Sequence, residues 1–185
     1  MELFARRGVT AVHCPNSNLK LASGIAPVRK MLDKGMNVAL GTDGVSSSNN
    51  ADLFEAIKLS ALLSNGSTLD PTSLTAQEAL KLATVNGAKA QGREQECGMI
   101  APGMDAELIM LDFSQPHLIP CHNPISNLVY AASGHDVVMT MVRGRVLYEN
   151  GTYPTIDMQQ VLQEFRDYVI PLMFGGDGKE QTHGE

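Results

Sequence analysis

The chain has 185 residues, 43% of them hydrophobic, with a formal net charge of −6 and an isoelectric point near 5.3. That length supplies about one domain with a proper core, and the acidic balance argues against a nucleic-acid or anionic-membrane partner. The 3 cysteines, at positions 14, 97 and 121, form no C-x-x-C pair and no apolar run is long enough for a membrane helix, so a reduced, cytoplasmic setting is expected.

Met1 to Gly8 lacks a signal peptide's order of charge, apolar core and small cleavage residues. It reads as the last turns of a helix ending at Gly8, which leads us to expect further chain upstream. Val9-Thr10-Ala11-Val12 is a β-branched strand that stops at His13-Cys14-Pro15, because proline cannot donate within a central strand. The segment Asn16 to Gly24 reads as a polar, turn-rich loop. A helix follows from Pro27, with Val28, Met31 and Leu32 on one face and Gly35 at its end.

The next strand, Met36 to Leu40, runs through Gly41-Thr42 into Asp43-Gly44. An aspartate before glycine is a common turn residue, but a carboxylate at the carboxyl end of a buried strand also stands where α/β folds place their chemistry. After a loop from Val45 to Asn50, a helix is expected over Ala51 to Ser64, capped by Asn50, with Leu53, Phe54, Ile57, Ala61 and Leu62 as its apolar stripe. Strand, helix, strand, helix with short loops predicts parallel β/α units, with His13 and Asp43 opening on one rim.

Beyond Asn65-Gly66, Thr75-x-x-Glu78 forms a capping box for a helix to Val85, and Asn86-Gly87 interrupts it before Ala88 to Gln91. From residue 98 the texture changes. A turn-rich stretch leads to a strand over Ala106 to Leu111, and Asn123-Pro124 opens a helix with Ile125, Leu128, Val129 and Ala132 inward. Val137 to Val142 and Arg145 to Tyr148 predict a hairpin around Arg143-Gly144. A last amphipathic helix is expected from Asp157 to Val169, and a frayed polar tail over 175–185. Two β/α units cannot close a barrel of eight, so the chain reads as the carboxyl-terminal piece of something longer.

Several motifs in the right order then carry a family resemblance. His13-Cys14-Pro15-Asn16-Ser17-Asn18-Leu19-Lys20-Leu21-Ala22-Ser23-Gly24 resembles the H-C-P-x-S-N-x-x-L-x-S-G segment that follows the seventh barrel strand of metal-dependent amidohydrolases. Leu40-Gly41-Thr42-Asp43-Gly44 resembles the end of the eighth strand. Ser46 to Asn50 and Asp52 to Glu55 are similar to the branch acting on 5-methylthioadenosine and S-adenosylhomocysteine. Thr84-Val85-Asn86-Gly87-Ala88 resembles that family's T-x-N-G-A helix, and Gly98 to Leu108 its return strand, with Glu107 where aspartate is usual. Val142 to Leu147 resembles the hairpin of its small β-sandwich.

The resemblance implies an α/β fold: the last two β/α units of a TIM-type (β/α)8 barrel over 1–97, part of a composite β-sandwich over 98–156, a closing helix over 157–174 and a flexible tail over 175–185. It implies a hydrolytic deaminase with one divalent metal, zinc or alternatively iron. Asp43 would be both a metal ligand and the general base for the attacking water, which adds at C6 of an adenine ring as ammonia leaves. The other metal ligands, including an H-x-H pair, are absent from these residues, so the chain alone is expected to be inactive. A small-molecule nucleoside is the expected substrate, with a homo-oligomeric parent. The alternatives are another amidohydrolase, of guanine deaminase or triazine chlorohydrolase type, or a truncated chain without catalysis.

The remaining candidates carry bland readings beside the functional ones. His13 is assigned to the pocket rim as a structural group. Asn16, Ser17 and Asn18 either touch substrate or satisfy the backbone of a tight loop, and Ser46 either lines the rim or caps a helix. His117, His122 and His135 are expected in or beside turns and exposed. Met99, Met104, Met110, Met139 and Met141 are expected to fill the sandwich core, and Lys20 and Arg29 to be solvated.

Overall fold

The computed structural model describes residues 1–175; the tail expected over 175–185 lies, apart from Gly175, outside them. A short helix α1 (Glu2–Arg6) leads to β1 (Thr10–His13), which pairs in parallel with β2 (Asn37–Leu40) in the register Thr10↔Asn37 to His13↔Leu40. Between the strands lie α2 (Pro15–Lys20) and α3 (Val28–Asp33). The turn-rich reading of 16–24 is corrected here. Pro15 occupies the first helical turn, where its fixed φ and missing N–H are harmless, and Asn16 to Lys20 follow it into a helix.

After β2 come a single turn α4 (Val45–Ser48) and the long α5 (Leu53–Thr68). The cap of α5 is Asp52, whose side chain accepts from the Phe54 N–H at 2.8 Å, and not Asn50. The helix also runs through Asn65-Gly66, which were expected to break it. The capping box forms as read: Thr75 and Glu78 satisfy one another's backbone N–H groups at the start of α6 (Ala76–Ala83).

Helix α7 (Val85–Ala90) lies along the edge of β2. Gly41 N–H bonds the His13 carbonyl at 3.0 Å, so the Val38 carbonyl points to the opposite edge. There the Asn86 side chain donates to it at 2.9 Å, and Asn37 donates back to the Asn86 carbonyl at 3.1 Å. The asparagine of the T-x-N-G-A motif is thus an edge cap for a strand.

A three-stranded antiparallel sheet, β3 (Leu108–Leu111), β4 (Val137–Val142) and β5 (Arg145–Glu149), follows in the order β3-β4-β5, with α8 (Pro124–Tyr130) between β3 and β4. Its hairpin turns at Arg143 and Gly144, both at positive φ, as a two-residue mirror-image turn requires. Of the methionines assigned to its core, Met139 is buried, whereas Met99 and Met110 are exposed.

The chain ends in α9 (Met158–Glu164), a π-helical turn over Phe165–Val169 and α10 (Ile170–Phe174). On this helix, expected to be amphipathic, the apolar residues Val161, Leu162 and Phe165 are exposed. Among the described residues the strands form no closed barrel, and no helix is long and apolar enough to cross a membrane.

The main core sits between the parallel pair and its helices. Val38 and Leu40 pack with Val28, Ile57, Ala61, Leu74, Ala79, Leu82 and Val129. A second cluster of Phe54, Leu118 and Ala132 joins α5 to the antiparallel sheet.

Candidate site at the end of the second strand

Strand β2 ends at Leu40, and the next three residues turn the chain outward. Gly41 is closely approached: a Cβ there would lie 3.0 Å from Val12 Cγ1 and 3.2 Å from Cys14 Sγ, a tight fit that these side chains would have to relieve. Asp43 then adopts a left-handed backbone with φ of 61°. Aspartate enters that region more readily than most residues because its short side chain bonds locally. Here Asp43 Oδ1 accepts from the Gly44 N–H at 2.7 Å.

The second oxygen is held from another element. Ser17 Oγ, on the buried side of α2, donates to Asp43 Oδ2 at 2.6 Å. The Ser17 hydroxyl, and after it the Gly44 N–H, hold the Asp43 carboxyl below the usual aspartate range. Asp43 is therefore ionised at neutral pH. Each oxygen keeps a lone pair free beyond its single protein bond, and the side chain is exposed. A carboxylate so disposed suits one corner of a divalent cation site. Among the described residues no group of three or more histidine, cysteine or acidic side chains converges, so the chain offers one ligand and not a set.

The other candidates separate. His13 is buried and pairs with Leu40 in the register, on the side of the sheet opposite Val12, which is 58% exposed. Neither ring nitrogen has a partner among the described residues, and burial lowers its pKa. Its imidazole faces the helices with Leu40 and does not join Asp43. Asn16 Oδ1 is buried without a partner. Asn18 is half-buried and its carbonyl accepts from the Ser23 N–H at 2.8 Å, closing the turn after α2. Ser46 is exposed on α4, and its carbonyl accepts from Lys20 Nζ at 3.0 Å. Cys14 sits beneath the loop, its thiol pushed up by burial and then by the Asp43 charge, which keeps it protonated.

Two residues read as solvated turn out to be engaged. Lys20 donates to Ser46 and to the Asn49 side chain. Arg29 bonds Asp33 at 2.8 Å and Glu78 at 3.0 Å. Of the histidines expected in turns, His117 is half-exposed and bonds the buried Asp136. Once α2 is recognised as a helix, the i, i+3 spacing of Ser17 and Lys20 signals a shared face; a loop gives no such signal. A large concavity lies elsewhere, between α5, α6, α7 and the antiparallel sheet, lined by apolar groups such as Leu80, Ala83, Ile109 and Val142.

Residues 1–147 match the family model described as the amidohydrolase family. A 5'-deoxyadenosine deaminase of Methanosarcina acetivorans is 52% identical over 166 residues, covering 90% of this chain and 38% of that protein. A 5-methylthioadenosine/S-adenosylhomocysteine deaminase of Syntrophobacter fumaroxidans is 48% identical over 166 residues, with the same coverages of 90% and 38%. Among solved structures, an adenosine deaminase from Xanthomonas campestris with bound zinc superposes with a TM-score of 0.88 at 35% identity, over 92% of this chain and 39% of that one. The chain thus spans about two fifths of the length of the relatives it matches.

Proposed function

The chain belongs to the amidohydrolase family, and from that premise we propose that it is the carboxyl-terminal part of a metal-dependent hydrolytic deaminase of 5'-substituted adenosines, with 5-methylthioadenosine, S-adenosylhomocysteine and 5'-deoxyadenosine as candidate substrates. Identity near 50% to deaminases of these compounds, over nine tenths of the chain, carries this reading. It also favours adenosine-type substrates over guanine or triazines. The parallel pair with its helices, residues 1–97, is then the last two β/α units of a (β/α)8 barrel. Residues 98–156 are part of a composite β-sandwich and 157–174 a closing helix. The parent is a homo-oligomer in this reading.

Asp43 is the residue of this chain that would hold the metal, with zinc the first choice and iron the second. The metal, when bound, supplies a Lewis acid that brings the pKa of water towards 7. Asp43 takes the proton of the attacking water. Ser17 and Gly44 fix the carboxylate, one on each oxygen.

Ammonia release and the ultraviolet change from adenine to hypoxanthine test the reading directly. The protein that includes the upstream residues is assayed with the three candidate substrates, adenosine and guanine. Turnover of 5'-substituted adenosines, lost in Asp43→Asn, is expected. Turnover of guanine alone, or full activity in Asp43→Asn, would refute it.

A further inference from the structure

We infer that α2 is a clamp on the loop that carries Asp43, with Ser17 and Lys20 as positioning residues. The inference rests on the reading of Asp43 given above, and it begins from the backbone. The segment from Asp43 to Asn49 opens and closes on a left-handed non-glycine residue, with φ of 61° at Asp43 and 66° at Asn49. Aspartate and asparagine enter that region more readily than most residues, and side-chain bonds help to hold them there. Each is gripped from α2. Ser17 donates to the Asp43 carboxylate at 2.6 Å, while Lys20 donates to the Asn49 side chain and to the Ser46 carbonyl at 3.0 Å.

The two grips differ in kind. Ser17 is 4% exposed, so its hydroxyl has little competition from water. It acts on the carboxylate itself and decides which lone pairs remain available. Lys20 is exposed and reaches over the loop as a cation, holding the far end of α4 through a carbonyl and an amide oxygen. Three residues apart on a helix, the two side chains leave the same face. Helix α2 packs on both α4 and α5, which gives the clamp a fixed base.

The test uses the zinc-loaded protein that includes the upstream residues, with Ser17→Ala, Ser17→Thr, Lys20→Met and Asp43→Asn. Zinc retention is read by competition with a chelator, and kcat and KM are read separately. Partners that orient a ligand typically change metal affinity or activity by about 10- to 100-fold. Ser17→Ala is expected to lower kcat and zinc affinity on that scale with KM within about twofold, while Ser17→Thr, which keeps the hydroxyl, recovers most of both. Lys20→Met keeps the aliphatic stem and is expected to lower kcat by less than Ser17→Ala.

Unchanged kcat and zinc affinity in Ser17→Ala would overturn the clamp. So would equal losses in Ser17→Ala and Ser17→Thr that merely track a fall in Tm. If instead Asp43→Asn retains both zinc and activity, the reading of Asp43 fails and the clamp falls with it. Should the protein turn over none of the compounds, zinc retention across the Ser17 variants still decides the clamp.

Discussion

Asp52 and Gly134 are joined by a 3.0 Å hydrogen bond from the Gly134 N–H to Asp52 Oδ2, across 82 positions of sequence. The other oxygen of the same carboxylate caps α5 through the Phe54 N–H. A Cβ at Gly134 would lie 3.4 Å from the Asp52 carboxylate, an ordinary van der Waals contact. One aspartate thus starts a helix beside the parallel pair and ties it to the antiparallel sheet. Asp52→Ala removes both bonds and is expected to cost about 1–3 kcal/mol of stability. Asp52→Ser keeps a capping oxygen and loses only the tie, so urea titrations of the two variants separate the contributions. Equal midpoints for Asp52→Ser and the parent chain would show that the tie contributes nothing.

His13 predicts an acid limb of stability. Burial lowers its pKa in the folded chain below the ordinary value of 6.5, so below that pH the unfolded chain binds the additional proton. Its contribution is fully present above about pH 6.5 and is lost as the pH falls towards the lowered value. Neither ring nitrogen has a partner among the described residues, so an apolar replacement forfeits no hydrogen bond there. His13→Leu is therefore expected to be neutral or stabilising at pH 7 and to flatten the decline below pH 6.5. Parallel Tm profiles for the two chains across that range would contradict this, and selective loss of turnover in His13→Leu would return His13 to the catalytic rim.

The difference between Asp43 and Lys20 shows what the sequence makes legible. Asp43 follows an apolar run that must be a buried strand, and its place at the strand end needs no knowledge of partners. Lys20 lies in a stretch of asparagines and serines whose local preference is for turns. That stretch becomes helical through Pro15 at its first turn and through bonds to α4, distant in sequence, that no local pattern announces. The same blindness hid the role of Asn86, a turn residue by composition whose amide completes the edge of β2. It also hid the orientation of His13, because strand alternation fixes faces only once the register His13↔Leu40 is known.

Glu107 stands where the resemblance expects aspartate, and its extra methylene reaches Arg93 Nη2 at 2.7 Å. Arg93 also bonds Glu96 at 2.9 Å, and Arg143 from the hairpin turn bonds Asp105 at 3.1 Å. The cluster links the end of α7 to the first and second strands of the antiparallel sheet. The Arg93 guanidinium, more than anything else, lowers the Glu107 pKa. The contribution of Glu107 is thus present above about pH 4.5 and is lost as the pH falls through the lowered value. Glu107→Asp withdraws the carboxylate from Arg93 and is expected to lower Tm by a few degrees at neutral pH, a loss that shrinks in high salt. A Tm difference insensitive to salt would assign the effect to packing.

Val129 is fully buried on α8, yet it belongs to the cluster around Val38 and Leu40 and not to the sheet that flanks its own helix in sequence. The segment between β3 and β4 therefore completes the core of the parallel pair, and Phe54 of α5 returns the exchange by packing with Leu118 and Ala132. Two sheets that share core residues in both directions should not melt separately. Val129→Ala removes buried methyl groups from a site that α5 and α6 hem in, and is expected to cost about 2–3 kcal/mol. Because the cavity opens in the shared core, the loss should appear as one shifted transition with an unchanged denaturant slope. Far-ultraviolet circular dichroism and tyrosine fluorescence follow it in parallel in a background with Tyr130→Phe and Tyr168→Phe, where Tyr148 and Tyr153, ring centroids 5.1 Å apart, report from the end of the antiparallel sheet. If the tyrosine signal keeps its original midpoint while the helical signal moves, the sheets fold independently and the shared core does not couple them.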